Sequence, residues 1–109
     1  MEVDLSVVNG DAGSDAGVEH GARLVAFVEA VMQGDDAAIE RERRELLAVL
    51  PAESFVDAAA TIGAFNIVDR VADATGIALD EMLEAMSSDF RGKLKLERFA
   101  SAANTRQAK

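Results

Sequence analysis

Four polar side chains in the middle of the sequence have the types and the spacing of a small binding site. They are Asn66, Asp69, Arg70 and Asp73. At about 100° per residue, an α-helix brings these positions onto one face. A guanidinium there can hold a carboxylate, and a neighbouring aspartate can transfer a proton. These four residues are the candidate ligand-binding site; no catalytic residue can be singled out.

The same spacing also has a purely structural interpretation. Arg70 is placed to pair with Asn66 one turn before it and with Asp73 one turn after it. Spacing alone favours this interpretation, in which the outer face of the second half of the helix is exposed to solvent. In the alternative, another subunit covers the cluster. Arg70 then binds a small anion, and Asp69 or Asp73 modulates the charge of this site.

The helix that must position this cluster runs from about Ala52 to the cap at Gly76, with Gly63 as the only breaker inside it. We expect it to be the longest and most buried helix. Its small residues 58–64 permit a close approach by a neighbouring backbone. Opposite the cluster, one arc stays apolar to the end and is predicted to be buried throughout: Ala60, Ala64, Phe65, Ile67, Val68, Val71 and Ala72.

Three further helices are predicted around it. The first spans His20 to Gln33, and the second opens at Asp35 or Asp36 and stops before Pro51. In the second helix, Glu40 with Arg44 and Arg41 with Glu45 are spaced to pair on a solvated face. A fourth helix begins at Asp80 and carries an apolar stripe, in which Met82 and Met86 are read as core filling: Leu79, Met82, Leu83 and Met86.

The chain is therefore predicted to be all-α, a small bundle of about four to five helices. Residues 1–19 are read as a flexible, disordered acidic arm, residues 20–105 as one helical domain, and 106–109 as a frayed tail. After the fourth helix we expect a helical turn or two and then a strap across the bundle, frayed after Asn104.

Composition excludes several functions. A net charge of −9 argues against nucleic acid, because phosphate contacts demand a basic surface. With no cysteine, thiol peroxidase chemistry and thiolate metal sites are excluded, and the single histidine, His20, cannot build a zinc site in one chain. No apolar run reaches membrane-spanning length and no signal peptide is visible. We expect a cytoplasmic protein with no cofactor, no metal and no membrane partner.

At residues 54–80 the sequence resembles a known superfamily. A small-residue helix passes into Phe65 and Asn66, then Arg70, an Ala72–Asp73 step and Gly76, which is similar to the C-terminal helix of the carboxymuconolactone decarboxylase and alkylhydroperoxidase D-like superfamily. The likeness extends over roughly residues 20–105. It implies an all-helical, alkylhydroperoxidase D-like fold that assembles into dimers, trimers or hexamers. The peroxidase branch uses a C-x-x-C pair, which this chain lacks, and the catalytic residues of the decarboxylase branch have no counterpart that we can map.

Three functional hypotheses follow. The first is a non-redox helical protein that acts as a homo-oligomer, with the small residues of its long helix at a subunit contact, and could bind a small acidic ligand. The second is a cofactor-free enzyme acting on a lactone or keto acid, with Arg70 holding the carboxylate and Asp69 or Asp73 transferring a proton. The third is an accessory module that binds a larger partner through the acidic arm. The sequence leans against an enzyme.

Overall fold

The chain is all-α in the part that its computed structural model describes, which is residues 2–5, 7 and 15–107, with backbone only at 106 and 107. This part holds five α-helices, short 3₁₀ segments and no strand, which confirms the predicted all-α fold. The helices are α1 (Gly21–Gln33), α2 (Asp36–Leu47), α3 (Ala52–Thr75), α4 (Glu81–Leu94) and α5 (Ala102–Gln107), and the 3₁₀ turn is Leu96–Arg98.

Two compact units divide the chain, Met1–Phe65 and Asn66–Lys109. In the N-terminal unit, α1 and α2 form an antiparallel pair around the few buried apolar side chains. Leu46 is fully buried, and the ring of Phe27 meets that of Phe55 at the start of α3, with centroids 5.2 Å apart. An ion pair between Arg23 and Glu45 ties α1 to α2 at the surface.

Capping residues set the ends of these helices close to where the sequence predicts them. Gly34, at a φ of 70°, closes α1 in the left-handed conformation that glycine adopts without strain. The carboxylate of Asp35 then accepts hydrogen bonds from the backbone N–H groups of Ala37 (3.0 Å) and Ala38 (3.1 Å). Both donors would otherwise lack a partner in the first turn of α2.

The predicted acidic arm falls partly on residues 1, 6 and 8–14, which lie outside the described part of the chain. Of its other residues, Asp4 donates its backbone N–H to the carbonyl of Ala16 at 3.0 Å. The carboxylate of Asp15 accepts from the N–H of Ala22 at 3.0 Å, in the first turn of α1. These described pieces of the arm therefore contact each other and the beginning of the first helix.

The C-terminal unit contains the second half of α3, then α4, the 3₁₀ turn and α5. Gly76, at a φ of 64°, ends α3, and the carboxylate of Asp80 caps α4 by accepting from the N–H of Leu83 at 2.9 Å, as predicted. The side chain of Thr105 on α5 accepts a hydrogen bond from the N–H of Leu79 at 2.9 Å. This bond joins α5 to the connection between α3 and α4.

The predicted strap after the fourth helix is wrong in part, because α4 continues to Leu94 and α5 forms beyond it. Ser87 and Ser88 lie inside α4, and their hydroxyls donate to backbone carbonyls three residues earlier, a side-chain bond that a helix tolerates. Basic side chains in the last turn of α4 complement its dipole. The frayed end predicted after Asn104 is helical to Gln107.

The expectation that α3 is the most buried helix is wrong. No residue of α3 is buried, and the same holds for every residue from 66 to 105. Met82 and Met86, predicted as core filling, lie at the surface, Met86 with 73% of its area exposed. Apolar composition predicted burial, but within the described chain too little of the fold lies against α3 and α4 to cover them.

Candidate functional site

The predicted cluster on α3 is only partly assembled. Nε of Arg70 donates to Oδ1 of Asn66 at 2.8 Å, one turn apart on an exposed surface, as the spacing predicts. The predicted ion pair between Arg70 and Asp73 is not formed in the C-terminal unit as described. Arg70 is thus satisfied by a single contact inside its own helix, in open solvent.

Asp69 and Asp73 turn toward a cavity that does not include the other two cluster residues. The cavity has a volume of about 610 Å³ and lies wholly in the C-terminal unit, where α3 contributes Asp69, Ala72 and Asp73 to its lining. Most of its apolar lining comes from residues beyond α3: Ile77, Ala78, Leu79, Leu96, Phe99 and Ala102. The four predicted site residues are therefore divided, two on the cavity wall and two beside it.

The cation of this cavity is Arg91, which the sequence analysis did not single out. One terminal nitrogen donates to the carbonyl of Glu84 at 2.9 Å, and the other lies 3.5 Å from Oε1 of Glu97. Its Nε is buried without a hydrogen-bond partner. The Arg91–Glu97 contact spans the end of α4 and the 3₁₀ turn, so it has no periodic signal that a sequence pattern could reveal.

The chemistry of this cavity does not match the predicted small acidic ligand. Four acidic residues line it, Asp69, Asp73, Glu84 and Glu97, and Arg91 is the one basic residue of the lining. This excess of acidic residues opposes the binding of an anion, because like charges repel each other. Arg70, the residue expected to receive the anion, is not part of the lining.

The other side of α3 is an exposed apolar surface, and this corrects the prediction that its apolar arc is buried to the end. Ile67 has 68% of its area exposed and Val71 57%; Phe65 and Val68 are similarly exposed. One face of α3, which we call the outer arc, carries Glu53 in the first turn and then Val56, Ala60, Gly63, Ala64, Ile67, Val71 and Ala74.

The small residues of α3 make no tight crossing at their centre. A Cβ added to Gly63 would meet no atom within 4 Å. In the described part of the chain, therefore, no neighbouring helix packs closely against Gly63, although a close helix approach was predicted for residues 58–64. The backbone at this point of the outer arc lies open to another molecule.

No group of three or more acidic, histidine or cysteine side chains in the described ranges is arranged to hold a metal ion. In those ranges, too, each helix is either too short or too polar to cross a membrane. Comparison of the chain with family models, with curated proteins and with solved structures finds no match. The likeness of residues 54–80 to the alkylhydroperoxidase D-like superfamily therefore remains a prediction from the sequence.

Proposed function

We propose that the chain acts as a non-redox homo-oligomeric helical protein, in which the outer arc of α3 is the contact between subunits. The observation that carries this proposal is the exposure of large apolar side chains along that arc, above all Ile67 and Val71. Contiguous apolar surface of this kind marks an interaction site, whereas single exposed apolar residues are ordinary.

The free energy that burial of the outer arc would contribute is considerable for a chain of this size. Burying one aliphatic side chain fully is worth about 1.5–3 kcal/mol, so each of Val56, Ile67 and Val71, more than half exposed, leaves about 1–2 kcal/mol unrealised. A contact between two copies would bury six such side chains at once. This gain offsets part of the cost of association, which is about 4–15 kcal/mol.

A second copy fits this surface better than an occasional partner does. From residue 66 to 105 no residue is buried, so this part of the chain has no closed apolar core of its own. The molecule that covers it must be available whenever the chain folds, and another copy of the chain always is. Obligate homo-oligomers behave in this way, since their folding and assembly are inseparable.

The remaining predictions have less support. Membership of the alkylhydroperoxidase D-like superfamily, a cytoplasmic location, the enzyme and accessory-module hypotheses, and the small acidic ligand at Arg70 all stay proposals from the sequence. The exposed position of Arg70 and its bond to Asn66 agree with a structural role on a helix surface. Self-association requires none of these predictions.

Light scattering coupled to size-exclusion chromatography tests the proposal on the unaltered chain. We expect a mass of at least twice the 11.5 kDa of one chain at micromolar concentration. Dilution should move the peak toward smaller mass if the subunits exchange. A mass of one chain at every concentration up to about 100 μM, well above the micromolar Kd of a modest interface, would contradict it.

A further inference from the structure

A small apolar pocket lies between the N-terminal residues and the beginning of α1, wholly within the unit Met1–Phe65. Its volume is about 170 Å³, and most of its lining comes from aliphatic side chains: Val3, Val7, Val18, Leu24 and Val25. We propose that this pocket binds a small uncharged apolar molecule, about the size of benzene. The pocket is separate from the outer arc of α3, so this inference does not depend on self-association.

The wall that α1 contributes follows from helical spacing. Gly21, Leu24 and Val25 are three and four residues apart, which places them on one face of the helix. Gly21 leaves room on that face for the chain before the helix, because a Cβ there would clash with the backbone carbonyl oxygen of Asp15. The two aliphatic side chains are thus left beside a close backbone approach, and together they form the pocket wall on α1.

The opposite wall belongs to the N-terminal segment, by which we mean the described residues 2–5 and 7. A second glycine brings this segment close. Gly17 has a φ of 80°, and a Cβ there would clash with the backbone carbonyl oxygen of Glu2. Val3, the next residue, is held beside the pocket by this approach. Any larger residue at position 17 would push the segment away from α1.

Polar groups near the pocket are engaged with each other. The N–H of Asp4 donates to the carbonyl of Ala16 at 3.0 Å, and the N–H of Val18 donates to that of Asp15 at 2.8 Å. The carboxylate of Asp15 accepts from the N–H of Ala22 at 3.0 Å. A buried water needs two to four polar partners, which this lining supplies poorly, so an apolar molecule occupies the space better than water does.

Volume and charge define the class of ligand. An apolar cavity of about 150 Å³ is large enough for benzene, and this pocket is slightly larger. Asp15 is the one charged residue among the described residues of the lining, so an anion would be repelled there. An organic cation would lose hydration against walls that are otherwise aliphatic. The pocket therefore favours an uncharged ring or short aliphatic chain.

Benzene is the probe, and methyl NMR of the unaltered chain is the measurement. We expect benzene to produce saturable shifts of the methyl signals of Val18, Leu24 and Val25. Benzoate, the same ring with a carboxylate, should bind at least about tenfold more weakly, because its charge would have to be desolvated. Equal affinity for benzoate would overturn the assigned ligand class.

Two glycine variants test the wall formed by the N-terminal segment. Gly17→Ala should weaken benzene binding about tenfold or more, because the contacts with Val3 are lost. Gly34→Ala is the matched control: its φ of 70° imposes the same backbone strain, but its Cβ would meet no atom within 4 Å. We expect Gly34→Ala to bind benzene like the unaltered chain. Equal binding by Gly17→Ala would overturn the role of the segment.

Filling the pocket tests the site without relying on a strained glycine. Val25→Phe should abolish the saturable shifts of Val18 and Leu24 while circular dichroism shows unchanged helix content, and it decides the matter should Gly17→Ala lose its helices. Undiminished binding by Val25→Phe would overturn the proposal. So would unsaturable shifts of equal size at Val18 and at Val71 on α3, which would show only partition of benzene onto exposed apolar surface. The mass of the chain in light scattering enters none of these outcomes.

Discussion

Replacing Ile67 by glutamate should dissociate the proposed homo-oligomer without requiring any change inside the subunit. Ile67 has 68% of its area exposed, so within one chain the carboxylate of Ile67→Glu would stay in water, and glutamate favours the helix at least as well as isoleucine. Between subunits the same side chain would enter the contact, where it could not keep its hydration.

The magnitude follows from the exposed fraction. About two thirds of the roughly 3 kcal/mol for burying an isoleucine is lost in each copy, which gives about 4 kcal/mol for a symmetric pair. Each 1.4 kcal/mol corresponds to a factor of about ten in affinity, so the dissociation constant should rise by about a thousandfold. The milder Ile67→Ala loses three carbons at about 0.8 kcal/mol each but brings no charge into the contact, so it should raise the dissociation constant less, by about two hundredfold.

Sedimentation equilibrium over a range of concentrations measures this change, and circular dichroism reports whether the separated subunit keeps its helices. The matched control is Ala59→Glu, which places the same charge on an exposed position of α3 outside the outer arc. We expect the control to leave the dissociation constant within about threefold, since surface charges act weakly at a distance. Equal effects of Ile67→Glu and Ala59→Glu, or no effect of either, would refute the assignment of the contact to the outer arc.

Three further changes probe the fold and the cluster. Leu46→Ala removes the most deeply buried side chain and should lower the free energy of unfolding by about 2–5 kcal/mol in urea titrations; a loss below about 1 kcal/mol would contradict the packing described for α1 and α2. Asp35→Ala removes both capping bonds of α2 and should cost about 1 kcal/mol, whereas Asp36→Ala, beside it, should cost less. Arg70→Ala loses one exposed bond to Asn66 and should change stability by no more than about 0.5 kcal/mol; a cost above 2 kcal/mol in thermal unfolding would show that Arg70 has a buried partner in the assembly.

Local signals predicted most of the helix boundaries correctly. Asp35 and Asp80 cap the helices that their positions predict, and Gly76 ends α3 in the conformation that glycine allows. These features depend on a few neighbouring residues, so the sequence contains nearly all the information that determines them. The Arg70–Asn66 contact was predictable for the same reason, since one helical turn fixes its geometry.

The predictions that were wrong concern features that depend on contacts between elements distant in the sequence. Helical spacing placed Asp69 and Asp73 beside Arg70, but the cavity wall to which they belong is completed by Leu79, Arg91 and α5, whose positions no local pattern specifies. The prediction of burial was most clearly wrong along α3. An apolar arc predicts that a surface will be covered, and it does not say whether the cover comes from the same chain.

Self-association through the outer arc is tested most directly by measuring whether solvent reaches this surface as the protein concentration rises. Carbene footprinting labels exposed aliphatic side chains, and mass spectrometry can compare a peptide containing Ile67 and Val71 with one containing Met86. We expect labelling of Ile67 and Val71 to fall several-fold as the concentration rises into the range where the subunits associate, while labelling of Met86 stays constant. Full labelling of Ile67 and Val71 at every concentration would contradict it.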